Sequence, residues 1–148
     1  MIDRFESFVS NITVCYKSIQ RIKSYEMSDL GLRGAHVMCL FFLNRHPEGL
    51  TASKLSVLCE EDKAAISRTL TDLSEKGYIT ADSSMGKSHY RAAVTLTDTG
   101  RAIAAQIDLK AEKWVSAIGE GLTDGERQAF YSSLIKISAN LKAKYTEK

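Results

Sequence analysis

Small, hydroxylated and basic side chains recur every three or four positions between residues 63 and 71, and this spacing places them on one face of a helix. Arg68 can contact a guanine or a phosphate, while Ser67 and Thr71 can contact base edges or the DNA backbone. Such a face can lie flat in a major groove about 12 Å wide. The alternative is an ordinary solvated helix face. The residues of this DNA-reading face are Lys63, Ala64, Ser67, Arg68 and Thr71.

A basic hairpin tip is the second candidate for contact with DNA. No acidic residue lies between residues 83 and 97, and from residue 89 onward apolar and polar residues alternate with the period of a strand. This alternation predicts that Arg91 points away from the core together with Lys87 and His89. Positive side chains there suit phosphates or a narrow minor groove. The alternative for Lys87 and His89 is the ordinary polarity of a turn.

Two short helices position the DNA-reading face. Thr51 can cap the first helix and Asp62 the second, each by accepting hydrogen bonds from free backbone N–H groups. Gly77 ends the second helix, at the position after a helix where glycine is most common. The apolar residues opposite the DNA-reading face are Ile66, Leu70 and Leu73. Helix, turn, helix and hairpin is the order of a winged helix-turn-helix, whose second helix usually enters a DNA groove. Thr51 and Ser53, at the start of the first helix, complete the predicted DNA-binding residues.

Further helices flank this module on both sides. A helix from Arg33 to Asn44 is apolar almost all round and is predicted to be buried, and Thr123 and Glu126 form a capping box that begins the last helix. The apolar stripes of the three long helices are Phe5, Phe8, Ile12, Cys15 or Tyr16, Ile19 and Ile22; Ile103, Ile107, Ala111, Trp114 and Ile118; and Phe130, Leu134, Ile137, Leu141 and Tyr145. Because a small module cannot cover three such stripes, we predict a homodimer packed through the terminal helices across a two-fold axis.

The predicted fold class is mainly α with a small β-hairpin wing: a winged helix-turn-helix with long terminal dimerisation helices. At 148 residues the chain has about the length of one domain. We assign residues 1–31 and 101–148 to the dimerisation helices and residues 32–100 to the DNA-binding lobe. The net charge is only +2, and residues 51–100 hold one more acidic than basic residue, so only the local placement of charge supports DNA binding. A cytoplasmic protein is expected, because the sequence has neither a membrane span of about 20 apolar residues nor a signal-peptide pattern.

Other chemistry has weaker support in the sequence. His36 and Cys39 are one helical turn apart, which permits a shared metal ion, but core packing explains such a pair better, so neither a metal nor another cofactor is expected. The three cysteines form no paired motif. Two glutamates follow Cys59, the opposite of the positive surroundings that a redox switch needs, and Cys15 lies on an apolar stripe, so redox sensing is an alternative that the sequence does not favour. The chain has no phosphate loop, nucleophile elbow or framework of catalytic histidines, so it is not predicted to be an enzyme.

The order of these elements and several local strings resemble the MarR family of bacterial winged-helix regulators. The resembling strings are residues 55–58, 62–70, 73–79 and 96–100. The resemblance implies an obligate homodimer that binds a short pseudo-palindrome and represses or activates nearby genes. It also implies release from DNA when a small, often aromatic or phenolic, molecule or an oxidant acts on the protein. The ligand pocket of the family lies between the dimerisation helices and the DNA-binding lobe, where Tyr16, His36 and Cys39 are the nearest candidates.

The wing departs from the pattern of the family, which often has an Asp followed two residues later by an Arg. Counting back without gaps from Leu96 places Ser88 and Tyr90 at those positions, with Arg91 one position late. Because a shift of one residue changes the face of a strand, either the hairpin is shorter or the arginine has another role. The predicted function is a sequence-specific transcriptional regulator, with repression favoured. The alternative is a winged helix used only for dimerisation or protein binding.

Overall fold

The structure is a computed structural model, and it describes residues 1–81 and 92–146. Its helices are α1 (Ile2–Tyr25), a short 3-10 helix (Ser28–Leu30), α2 (Gly34–Asn44), α3 (Ala52–Cys59), α4 (Lys63–Glu75), α5 (Asp98–Ile118) and α6 (Asp124–Thr146). Strands β1 (Ile79–Ala81) and β2 (Val94–Leu96) form an antiparallel pair. The fold is therefore mainly α with a small hairpin, as the sequence predicts. The chain divides into two compact units, Met1–Lys110 and Ala111–Lys148, which are described separately.

Side-chain caps fix where α3 and α4 begin. The Thr51 hydroxyl accepts a hydrogen bond from the backbone N–H of Lys54 at 3.2 Å, and the Asp62 carboxylate accepts one from that of Ala65 at 2.7 Å. Between the helices Glu60 has a left-handed backbone, with φ of 54°, which turns the chain sharply. Both predicted caps are confirmed, so the starts of these two helices are set by local chemistry.

The core of the first unit is built around α2. Leu40 and Leu43 of α2 pack with Leu55 of α3 and with Ile66 and Leu73 of α4, all of them fully buried or nearly so. The prediction that α2 is buried is confirmed. The buried residues that were not expected from the sequence pattern include Thr69 on α4 and Ala104 on α5.

The hairpin keeps the predicted period of two in its described part. Ile79 pairs with Leu96 and Ala81 with Val94. Val94, Leu96 and Ala92 are buried, whereas residues 93 and 95 are only half-buried. The far side of β2 also pairs: the backbones of Leu50 and Val94 exchange two hydrogen bonds, of 3.0 and 2.9 Å.

A close backbone contact fixes the base of the hairpin to the start of α5. The Thr97 N–H donates to the Tyr78 carbonyl at 3.0 Å, and its hydroxyl donates to the Gly77 carbonyl at 2.7 Å. The same hydroxyl accepts from the N–H of Gly100 at 3.0 Å. A Cβ atom on Gly100 would lie only 1.9 Å from the Tyr78 carbonyl oxygen, so only glycine fits there.

The outer helices expose much of their apolar surface in the single chain. α1 has no buried residue, and Phe5 and Ile12 are 71% and 41% exposed. On α6, which the predicted capping box of Thr123 and Glu126 begins, Phe130 is 52% exposed. The side chain of Tyr145 lies outside the described part. Within the described ranges no helix is long and apolar enough to cross a membrane.

Candidate nucleic-acid interface

The five residues of the DNA-reading face lie together on the exposed side of α4. Lys63, Ala64, Ser67, Arg68 and Thr71 are all exposed, while Ile66 and Leu73 on the opposite side are completely buried. The amphipathic pattern predicted from the sequence is confirmed. The Thr71 hydroxyl donates to the Ser67 carbonyl at 3.0 Å, so this hydroxyl is held against the helix and remains able to accept a hydrogen bond.

Thr51 and Ser53 occupy different positions at the start of α3. Ser53 is exposed, whereas Thr51 is half-buried and its hydroxyl is used to cap the helix. The exposed side chain of Ser53 can therefore contact the DNA backbone. Thr51 caps α3, and its contact with DNA stays a prediction.

A buried hydrogen-bond chain joins the start of α2 to α4. Nδ1 of His36 accepts from the backbone N–H of Arg33 at 3.1 Å, and Nε2 lies 3.3 Å from a carboxylate oxygen of Asp72. Burial lowers the pKa of His36, although the bond with Asp72 acts in the opposite direction. The imidazole is therefore neutral at pH 7, and its Nε2–H donates to Asp72.

A cleft of about 420 Å³ opens beside this chain, between the N-terminal end of α2 and α4. Its lining includes Arg33, His36 and Asp72 as well as Arg68 and other residues of the DNA-reading face. The guanidinium groups of Arg33 and Arg68 in this lining can bind a small anion or a DNA phosphate, whereas both ring nitrogens of His36 are already used in hydrogen bonds.

The structure does not gather the three predicted ligand-binding residues into this cleft. His36 lines it, but Tyr16 is 61% exposed on α1 and Cys39 is completely buried inside the core. Of the three residues, only His36 lines this cleft. The assignment of all three to a ligand site stays a prediction.

The Cys39 and Cys59 thiols lie side by side, with 3.9 Å between their sulfur atoms. The pair could not be predicted from the sequence, because the two residues are 20 positions apart on different helices. The acidic surroundings predicted for Cys59 are present, since Glu61 acts to raise the pKa of this thiol. The hydrogen bond with Cys39 lowers the pKa of Cys59, even though burial and Glu61 act to raise it. In the described part of the chain, no group of three or more His, Cys, Asp and Glu residues could hold a metal ion.

The predicted wing contacts lie outside the described residues. These are Lys87, His89 and Arg91, together with Ser88 and Tyr90, which decide the register of the wing relative to the family pattern. Their roles stay predictions.

Comparison with known proteins places this architecture in context. A family model described as MarR family matches residues 30–87. A MarR family transcriptional regulator from Silicibacter pomeroyi is 27% identical, with 90% of this chain and 86% of that chain covered and a TM-score of 0.71. Staphylococcus aureus MarR in complex with salicylate and kanamycin is 19% identical, with 96% and 94% covered and a TM-score of 0.83. A MarR protein from Peptoclostridium difficile is 20% identical, with 95% and 90% covered and a TM-score of 0.82. No curated protein sequence matches the chain.

Proposed function

We infer that this chain is a member of the MarR family, and we propose that it regulates transcription as a homodimer bound to a pseudo-palindromic DNA operator. Repression is the proposed sign of that regulation. The observation that carries the proposal is the exposed DNA-reading face of α4, which lies directly opposite the buried Ile66 and Leu73. A helix whose inner face is locked into a core presents its outer face rigidly, as base reading requires.

The apolar exposure of the outer helices supports a homodimer. Phe5, Ile12 and Tyr16 on α1 are between 41% and 71% exposed in the single chain. Large apolar side chains repeated along one helix mark a surface that another protein covers. In a dimer with a two-fold axis, this patch on each copy would cover the same patch on the other. Such a dimer would also present two α4 helices to DNA about one helical turn apart.

Arg68 is the residue that we expect to read a base. Replacing it with alanine should weaken operator binding by about 1–3 kcal/mol, because a paired arginine–guanine contact contributes on that order to discrimination. An operator can be obtained by selection from random duplexes, and titrations on this operator and on a scrambled duplex measure the loss. Arg4→Ala is the matched control, because it removes the same charge from the exposed surface of α1.

The pattern of losses distinguishes the possible roles. A larger loss on the operator than on the scrambled duplex supports base reading, whereas equal losses assign Arg68 to a phosphate. If selection yields no preferred sequence at all, the protein-interaction alternative is correct and the proposed function is wrong.

We further propose that an aromatic carboxylate releases the protein from DNA by occupying the cleft between α2 and α4. The Staphylococcus aureus relative is a complex with salicylate and kanamycin. In this chain the cleft volume of about 420 Å³ suits a small aromatic molecule, and Arg33 and Arg68 can pair with its carboxylate. The ligand would compete directly with DNA, because the cleft and the DNA-reading face share residues. Under direct competition, ligand at about 100 times its dissociation constant weakens DNA binding about a hundredfold.

Salicylate is the probe for this proposal. It should displace a fluorescent operator from the wild-type protein, and Arg33→Ala should need at least about tenfold more salicylate for the same displacement, as expected for the loss of one charged contact of about 1.4 kcal/mol. Tyr16→Ala is the control, since Tyr16 does not line the cleft. If Tyr16→Ala loses the response and Arg33→Ala keeps it, the ligand binds where the family resemblance places it and not in this cleft.

A further inference from the structure

Two thiols meet inside the first unit at the contact between α2 and α3. Cys39 lies in the middle of α2 and is completely buried, while Cys59 is the last residue of α3 and is half-buried. Their sulfur atoms are 3.9 Å apart, within the range of a weak hydrogen bond between thiols. The proposed DNA and ligand contacts use neither thiol.

We propose that Cys39 and Cys59 form an oxidisable dithiol, which low-molecular-weight disulfides convert into a disulfide bond between α2 and α3. The regulatory consequence drawn below rests on the proposed function, whereas the bond itself does not.

Exposure assigns different roles to the two thiols. Cys59 is the one that a disulfide in solution can reach, because Cys39 has no exposed surface. The hydrogen bond from Cys39 lowers the pKa of Cys59, and among the nearby charges Lys23 lowers it further while Glu61 raises it. The same hydrogen bond and burial raise the pKa of Cys39. Cys59 is therefore the attacking thiolate, and Cys39 is the thiol that completes the bond.

The disulfide bond forms in two steps of thiol–disulfide exchange with oxidised glutathione. The Cys59 thiolate attacks one sulfur of oxidised glutathione, which forms a mixed disulfide and releases one glutathione thiolate. Cys39 then attacks the Cys59 sulfur and releases the second glutathione, which takes up the proton that Cys39 loses. The dithiol is oxidised by two electrons, and one glutathione disulfide is reduced to two thiols.

The disulfide bond would change the geometry at the start of α4, the helix that carries the DNA-reading face. The sulfur atoms must approach from 3.9 Å to about 2.0 Å. Because Cys59 is the last residue of α3, this movement pulls on the turn through Glu60 that leads to the cap at Asp62 and hence to α4. Cross-linked protein should therefore bind the operator at least about tenfold more weakly than reduced protein.

Peptide mapping of the Cys15→Ser protein tests the bond itself. This background removes the third, exposed cysteine. After equilibration with mixtures of reduced and oxidised glutathione, tryptic digestion without reductant should join residues 34–45 to residues 55–63. Both thiols should disappear together, and dithiothreitol should restore both.

Two variants keep this test informative. Cys59→Ser should leave Cys39 reduced in every mixture, because the buried thiol cannot react first. Cys39→Ala should stop the reaction at the first step and leave one glutathione attached to Cys59. The proposal is wrong if the Cys15→Ser protein itself stops at glutathione on Cys59, or if both thiols stay reduced in the most oxidising mixture.

DNA titrations then separate this proposal from the proposed function. A weakened and reversible operator complex in the oxidised Cys15→Ser protein, with no change in Cys59→Ser under the same mixtures, supports regulation by the bond. If cross-linked and reduced proteins bind the operator equally, the regulatory part is wrong. If reduced protein selects no operator, the proposed function fails, but the peptide map still decides whether the disulfide bond forms.

Discussion

Gly100→Ala should destabilise the protein by on the order of 3 kcal/mol, which for a chain of this size lowers the melting temperature by about 10 °C. The added Cβ would lie 1.9 Å from the Tyr78 carbonyl oxygen, far inside van der Waals contact. The backbone of α5 must then move away from the strand. That movement would also strain the hydrogen bonds through which Thr97 holds Gly77 and Tyr78.

Gly125→Ala is the matched control for this prediction. Gly125 also lies near the start of a long helix, but an added Cβ would meet nothing within 4 Å. Alanine there should be neutral or slightly stabilising, because it restricts the unfolded chain more than glycine does. Urea titrations of both variants measure the difference. Equal midpoints would mean that the backbones of Gly100 and Tyr78 are not in close contact.

Gly100→Ala should also weaken operator binding by more than the loss of folded protein accounts for. The same contact fixes the base of the hairpin, at β1 and β2, to the C-terminal end of α4. In folded Gly100→Ala protein the base of the hairpin would be displaced relative to the DNA-reading face. We therefore expect weaker operator binding even at temperatures where the variant is fully folded.

Ile137→Asp should convert the proposed dimer into a monomer and abolish operator binding at micromolar protein. Ile137 lies on the apolar stripe of α6 and is 37% exposed in the single chain. Placing a carboxylate in an apolar interface costs about 2–5 kcal/mol, and a two-fold axis places one in each copy. The dimer dissociation constant should therefore rise by about a thousandfold or more.

Ala139→Asp tests whether this effect belongs to the stripe. It introduces the same side chain two residues further along α6, on the opposite and exposed face. Sedimentation of both variants at several concentrations, with circular dichroism to monitor folding, measures the outcome. A dimer that persists in Ile137→Asp and dissociates in Ala139→Asp would place the interface on the other face of α6.

Features set by neighbouring residues could be predicted from the sequence. The caps at Thr51 and Asp62 act within one helical turn, and the exposed side of α4 follows from the helical period. The burial of Val94 and Leu96 follows from the period of two in a strand. In each case the signal and the structure it specifies lie in the same short segment.

Contacts between distant segments could not be predicted in this way. The sulfurs of Cys39 and Cys59 meet only because α2 and α3 pack together, and the sequence around Cys59 shows its two glutamates but not its partner. His36 and Asp72 are 36 residues apart. The ligand assignment to Tyr16, His36 and Cys39 drew on a family resemblance, but the direction of each side chain depends on packing that no local pattern encodes.

The backbone pairing of Leu50 with Val94 also affects how the protein behaves at high concentration. An unpaired strand edge is a template on which other chains can add, and this is a common route to aggregation. Here β2 has β1 on one side, and on the other the N–H and carbonyl groups of Val94 are already bonded to Leu50. A short segment from outside the hairpin thus occupies the β2 edge where a foreign strand would begin to pair, so this edge cannot act as a nucleus for assembly.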